Sequence, residues 1–279
     1  MTDPAAPPSA RVGTARRLLE HAITPDTELG QHFLLDENLA DLAIRQARLT
    51  AESVVLEIGA GVGTLTAPLA TAAAHVHAVE IDRRLLTALG AVLAEHRNVT
   101  VHERDAMRLD LASLDPAPTH VVSNLPYHVA TPIVIETICQ VPTAVRWVVM
   151  VQREVADRWL AGPGSKLYGG PSVLIQLATE SDFRRSVGRE VFQPRPRVDS
   201  ALVGFTRIAP APDHATRALI RAAFATRRKT LANTLTAAGV DREHLLLALD
   251  QLGLDAGVRA EAVSPPMFAA LAERLEWTG

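Results

Sequence analysis

The run Val54-Val55-Leu56-Glu57-Ile58-Gly59-Ala60-Gly61-Val62-Gly63 constrains the fold of this chain more than any other segment. An apolar strand enters a glycine-rich turn, and a helical pattern from Thr64 to Ala73 follows at once. Such strands belong to parallel sheets covered on both faces. Glycines at the strand end let the backbone approach a ligand closely. A dinucleotide fingerprint, G-x-G-x-x-G, would put glycine at position 64, where Thr64 stands. The spacing is G-x-G-x-G, which argues against a nicotinamide cofactor. A second strand, His75-Val76-His77-Ala78-Val79, ends in Glu80, 21 positions after Gly59. An acid at that place suits a ribose diol, because a carboxylate accepts from both hydroxyls.

A third apolar segment closes on Asp105-Ala106-Met107, where a carboxylate can take the amino group of a purine. The fourth, His120-Val121-Val122-Ser123, runs into Asn124-Leu125-Pro126-Tyr127. The Asn124 side-chain oxygen and the Leu125 carbonyl can both accept from one planar NH2 group. Pro126 has no N–H and fixes its own φ, so the turn is stiff. Tyr127 offers a flat face for stacking. The tetrad suits an exocyclic amine, as on adenine, held in line with an electrophile. Alone it is an ordinary turn. Together, four acidic or polar groups at the ends of four successive strands fit a nucleoside-like cofactor lying across a sheet.

Strand and helix patterns alternate from about residue 39 to 155, which implies an α/β fold with a mostly parallel sheet. Ser200 to Arg207 alternates like a late strand. Gly162 to Pro171 is glycine-rich and reads as a mobile flap near the site. Ala209-Pro210-Ala211-Pro212 is a short stiff linker. Helical patterns then cover Asp213 to Arg228, Thr230 to Ala238, Arg242 to Leu252 and Ser264 to Leu275. The expected organisation is a flexible tail at 1–23, a cofactor-binding catalytic domain at 24–208 and a small helical domain at 209–279. The ten histidines show no H-E-x-x-H or Cys/His spacing, so no metal site is expected. No apolar run approaches the ~18 residues of a membrane span. The Pro/Ala-rich start lacks a signal-peptide core. One cysteine, Cys139, fits a reducing compartment, so a cytoplasmic location is expected.

The chain resembles the ribosomal RNA adenine dimethyltransferase family, with the erythromycin-resistance methylases as cousins. The likeness rests on Gly30-Gln31-His32-Phe33-Leu34, Glu57-Ile58-Gly59-Ala60-Gly61, Glu80-Ile81-Asp82, Asp105-Ala106 and Asn124-Leu125-Pro126-Tyr127. It continues through Gln152-Arg153-Glu154 and the Gly162-Pro163-Gly164-Ser165-Lys166-Leu167-Tyr168-Gly169 segment. It ends with Phe192-Gln193-Pro194-Arg195-Pro196-Arg197-Val198-Asp199-Ser200 and Arg227-Arg228-Lys229-Thr230-Leu231. The Gly-Pro-Gly-Ser-Lys and Phe-x-Pro-x-Pro-Arg-Val-Asp-Ser segments favour the dimethyladenosine branch.

The resemblance implies a Rossmann-like fold, S-adenosylmethionine as cofactor, and ribosomal RNA or the small ribosomal subunit as partner. It implies that His32, Leu34, Gly59, Gly61, Glu80, Ile81, Asp105, Ala106 and Asn124 bind the cofactor. Asn124 and Leu125 would hold the target amine, and Tyr127 and Phe192 would clamp its ring, only the ring face of Tyr127 mattering. Arg227, Arg228 and Lys229 would meet RNA phosphates.

The charge departs from a strongly basic RNA binder: net −3, with Lys166 and Lys229 the only lysines. The lead-in Pro25-Asp26-Thr27-Glu28-Leu29 is acidic where the family is usually basic, and Gly170-Pro171 stands where it often has a basic or polar residue and then Leu. A same-fold methyltransferase acting on a small indole- or purine-like ring is therefore a second reading, with His128 as the candidate base. A third is a ribosome-assembly factor without catalysis, against which the intact set of Gly59, Glu80, Asp105 and Asn124 argues.

Overall fold

A computed structural model describes residues 13, 17, 21–26, 29–226 and 228–277 of the chain. Most of the expected N-terminal tail, and Arg227, lie outside the described residues. The chain order is β1 (Phe33–Leu34), α1 (Glu37–Ala47), β2 (Val54–Ile58), α2 (Thr66–Ala72), β3 (His75–Glu80), α3 (Arg83–Val92) and β4 (Val99–Glu103). Then follow β5 (His120–Asn124), α4 (Ala130–Gln140), β6 (Arg146–Gln152), α5 (Arg153–Trp159), α6 (Gly170–Ala178), β7 (Thr179–Val187), β8 (Phe192–Gln193) and β9 (Ser200–Arg207). Four helices end the chain: α7 (His214–Ala223), α8 (Leu231–Ala237), α9 (Arg242–Gln251) and α10 (Pro265–Arg274).

Seven strands form one sheet in the order β4-β3-β2-β5-β6-β9-β7. β2 pairs in parallel with both β3 and β5, so the strand order reverses there. β9, the late strand expected over Ser200 to Arg207, runs antiparallel between β6 and β7. In open α/β sheets a ligand crevice forms at the carboxyl ends beside such a reversal. β2 is buried along its whole length, Glu57 included. α1 and α3 begin at side-chain caps: Asp36 accepts from the Asn38 and Leu39 amides, and Asp82 from the Arg84 amide.

One core lies between the sheet and α4 to α6, built around Trp147, Trp159 and Phe205. Arg207 lies over the Trp147 ring at 4.9 Å. Its guanidinium also donates to the Ile138 and Val141 carbonyls, which end α4. A second core joins α7 to α10 around Leu235, Leu249, Phe268 and Leu271, and it reaches back to Tyr168, Val173 and Leu174.

That second core corrects the flap expectation. Tyr168 is 1% exposed, and its hydroxyl donates to the Val263 carbonyl at 2.8 Å. The Gly164 amide donates to the Glu261 carbonyl at 2.7 Å. The glycine-rich segment is anchored to the C-terminal helices and lines no part of the main cavity. Gly170-Pro171 opens α6. Pro171 occupies the first turn of α6, where a missing N–H costs nothing. A Cβ on Gly170 would meet Ile220 and Phe224 at ordinary contact distance.

Candidate active site

At the carboxyl ends of β2, β3, β4 and β5 lies a cavity of about 230 Å³. The segment from Leu29 to Leu34 forms one wall, and the turns after the four strands form the others. Every residue assigned to the cofactor by resemblance lines it: His32, Leu34, Gly59, Gly61, Glu80, Ile81, Asp105, Ala106 and Asn124. Leu125, Pro126, Tyr127 and His128 line it too. Arg228 and Lys229 are exposed and lie outside it.

The glycine turn is shaped by its backbone. Gly59 has φ +80°, a left-handed value that L side chains avoid. Its amide and that of Ala60 donate to the Val79 carbonyl, which ties the turn to β3. At Gly61 (φ +59°) a Cβ would stand 3.2 Å from the Phe33 ring, so the turn and the N-terminal wall touch.

Glu80 ends β3 and is 5% exposed. One carboxylate oxygen accepts from the Gly61 amide at 2.7 Å, and the other from the Ile81 and Asp82 amides at 2.9 Å each. Burial raises its pKa, and the three amides act against that shift. Two residues on, Asp82 takes bonds from Gln31 at 2.7 Å and Arg84 at 2.6 Å. The Arg84 hydrogen bond, aided by Gln31, holds the Asp82 carboxyl down at about 2. Asp26 of the acidic lead-in belongs to the same network. Its amide donates to Gln31, and its carboxylate lies 3.6 Å from Arg84. Asp105 accepts from the Met107 amide at 2.9 Å, a turn cap that fixes the carboxyl at the cavity wall.

Asn124 ends β5. Its Nδ2 donates to the His32 carbonyl at 2.9 Å. A carbonyl can only accept, so the amide orientation is settled and the acceptor Oδ1 is turned away from that bond. Tyr127 stacks on the His32 ring, centroids 5.2 Å apart and planes 28° from parallel. Its hydroxyl is 2.6 Å from Ser200 Oγ. His128 is exposed at the rim, beside Gly30.

Phe192 is corrected. It is 3% exposed and packs in the core with Leu34, Val187 and Leu202, forming no wall of the cavity. The reason is register: β8 pairs antiparallel with β1, and Phe192 stands opposite Leu34. That face of the short ribbon lies on the main sheet.

Sequence reasoning overlooked Glu57 as a site residue. It lines the cavity at 1% exposure, and its Oε2 has no hydrogen-bond partner. Burial, with a further contribution from the nearby Glu80 charge, pushes its pKa up to about 8, against the opposing influence of the neighbouring Thr66 hydroxyl. The signal was present: an acid inside a strand buried on both faces needs a partner. The orphaned oxygen and the Glu80 carboxylate make this cavity a good receptor for a cationic, hydroxyl-bearing ligand. A sulfonium nucleoside with an amino-acid tail fits that donor set.

The ribosomal RNA adenine dimethylase family model matches residues 24–276. A ribosomal RNA small subunit methyltransferase A from Rubrobacter xylanophilus is 46% identical, over 90% of this chain and 95% of its own length. One from Geobacillus thermodenitrificans is 36% identical over 94% of each. Among solved structures, a dimethyladenosine transferase from Plasmodium falciparum superposes with TM-score 0.74 at 24% identity, covering 86% of this chain and 96% of that one. The 23S rRNA methyltransferase ErmE gives 0.65 at 28% identity, covering 88% and 99%. Fold and site together define a Rossmann-like methyltransferase. The chain belongs to the ribosomal RNA adenine dimethylase family.

Proposed function

We propose that this enzyme moves methyl groups from S-adenosylmethionine to N6 of adenine in small-subunit ribosomal RNA, ending at the dimethyl product. The observation that carries the reading is the Asn124 amide. Its donor end is spent on the His32 carbonyl, which leaves an oriented acceptor for the target amine. The cofactor, when bound, supplies a methyl already activated by a positive sulfur.

The protein therefore has to orient and desolvate, with no nucleophile of its own required. Glu80 and Asp105 would hold the ribose and the purine amine. Gly59 and Gly61 allow close backbone approach, and Glu57, which lines the cavity, would meet the cationic part of the cofactor. Asn124 Oδ1 and the Leu125 carbonyl would accept from the two N–H bonds of the target, freeing its lone pair from the ring. These acceptors would aim the amine nitrogen at the bound methyl donor, and one amine proton would pass to solvent as the nitrogen takes the methyl. Tyr127 supplies the stacking face.

The small-subunit assignment is supported by relatives at 46% and 36% identity named for that subunit, against 28% for the 23S enzyme. A cytosolic location is the one such a substrate would call for. Among the described residues no helix is long and apolar enough to cross a membrane.

The test is labelled-methyl transfer to undermethylated small ribosomal subunits, followed by nucleoside analysis, beside a panel of small heteroaromatics. Label in dimethyladenosine is the expected result. Label on an indole- or purine-like compound, with none in RNA, would replace this reading with the small-molecule one.

A further inference from the structure

Tyr127 follows a proline on the loop between β5 and α4, yet four contacts fix its neighbourhood. Its hydroxyl bonds Ser200 Oγ at 2.6 Å. Ser200 is fully buried at the start of β9, opposite Gln152 of β6 and Val187 of β7, so its backbone is held from both sides. One face of the Tyr127 ring lies on His32. The imidazole is itself held, because Nδ1 is 2.7 Å from the Pro194 carbonyl and must be the donor there. The His32 carbonyl, in turn, takes the Asn124 amide.

We propose that Ser200 and His32 are positioning residues for methyl transfer. Ser200 and the His32 ring set the plane of Tyr127, and the His32 main chain aims Asn124. The inference rests on the methyl-transfer reading above and adds to it. His32 of the N-terminal wall, with Pro194 after β8 and Ser200 at the start of β9, jointly form the mount for the reacting tetrad. A phenylalanine at 127 against an alanine at 200 would fill similar space without polar atoms to satisfy, so packing alone does not require the two hydroxyls. Their use is directional. A platform set before substrate arrives lowers the ordering cost of the bound base, and that gain appears in turnover.

The test compares Ser200→Ala, Tyr127→Phe, their double variant, Ser200→Thr and His32→Ala. The readouts are kcat and KM on undermethylated small subunits, calorimetric Kd for S-adenosylhomocysteine, and melting temperature. Ser200→Ala and Tyr127→Phe should each lower kcat roughly tenfold, the scale of one oriented hydrogen bond. The double variant should fall no further, because both remove the same bond. Ser200→Thr keeps the hydroxyl and should restore most of the loss. His32→Ala keeps its carbonyl; its kcat at saturating cofactor should fall whether or not the nucleoside Kd changes.

Wild-type kcat in Ser200→Ala, or losses that multiply in the double variant, would overturn the role of Ser200. A His32→Ala variant with normal kcat and much weaker nucleoside binding would make that ring a cofactor ligand instead. Should Ser200→Ala fail to fold, Tyr127→Phe decides alone, since it leaves β9 untouched. A wild-type enzyme inactive on subunits overturns the methyl-transfer reading itself. An active wild type with an indifferent Ser200→Ala overturns only this inference.

Discussion

Glu57 should make cofactor binding release a proton. Its carboxyl is fully buried at the cavity wall, with one oxygen unpartnered and the Glu80 charge nearby. With a pKa pushed up to about 8, roughly nine-tenths of the free enzyme carries this proton at pH 7. A ligand ammonium in the cavity favours the ionised form and pulls that pKa down. Binding then expels close to one proton, and affinity should rise about tenfold from pH 6 to pH 7. Above about pH 8 the free enzyme's Glu57 is already ionised, so the gain levels off.

The assay is calorimetry with S-adenosylhomocysteine in buffers of contrasting ionisation enthalpy. That ligand carries the ammonium without the sulfonium. The observed heat should track the buffer, with a slope near one proton. Glu57→Gln copies the protonated acid in shape. It should erase the buffer dependence, and its affinity should change less than twofold between pH 6 and pH 7. Heats independent of buffer in the wild type, or a wild-type pH slope surviving in Glu57→Gln, would refute the argument. The same group has a stability signature. Its folded pKa lies above the unfolded value of 4.5, so its contribution is intact at low pH and is lost as pH rises through about 8.

Other outcomes follow from single interactions. Glu80→Ala removes the acceptor for three amides as well as the expected ribose contact; calorimetry should show at least tenfold weaker nucleoside binding, with a lower melting temperature. Gly204→Ala would place a Cβ 2.7 Å from Arg146 Nη2, and that buried arginine is already bonded to Asp182, Thr206 and Gln46, so chemical denaturation should report a loss of about 1–3 kcal/mol. His75 and His102 have pKa values lowered chiefly by burial, so the unfolded chain takes up protons first as pH falls below 6.5; melting temperature should drop below that pH, and less steeply in His102→Gln. Replacing Arg228 and Lys229 by alanine should flatten the salt dependence of RNA binding by about 0.9 for each phosphate they neutralise; an unchanged slope would remove them from the interface.

The sheet was legible because burial leaves few options. A strand apolar on both faces, a glycine turn, and acids closing successive strands fix which ends meet, and ligand-facing groups then cluster by topology alone. Glu80, Asp105 and Asn124 fell where their strand ends placed them. Other features depended on pairings between distant segments. Phe192 reads as an aromatic clamp until its pairing with Leu34 turns it onto the core. The glycine-rich stretch reads as mobile until Tyr168 is seen packed into the core of α7 to α10 with its hydroxyl on Val263. Ser200 carries no motif logic of its own, and its role appears only once β9 delivers it to Tyr127. The pattern from Asp213 continues in helical period to Arg228, whereas the helix stops at Ala223. Periodicity is silent about where the backbone turns away.

The weakly negative net charge also acquires a physical reading. All but two of the 28 cationic side chains are arginine. An arginine presents a fixed fork suited to bidentate acceptors and carbonyl edges. Some are spent inside the fold: Arg146 on Asp182 and Arg207 on the end of α4, while the exposed Arg84 is held by the buried Asp82. Near the surface others are matched by acids, as in Arg153 with Asp199 and Arg158 with Glu154. Net charge therefore understates the cations present and overstates those free to meet phosphate. Exposed pairs of this kind contribute little to stability, so they can exchange a carboxylate for a phosphate at small cost. Arg153 and Asp199 join the start of α5 to the loop before Ser200, near the mount of Tyr127. RNA seated there would compete with Asp199 for the guanidinium. Removing that competition with Asp199→Asn should tighten RNA binding at low salt and steepen its salt dependence, as filter binding across a salt series would measure. Weaker binding in that variant would show instead that Asp199 orients Arg153 for the RNA phosphate.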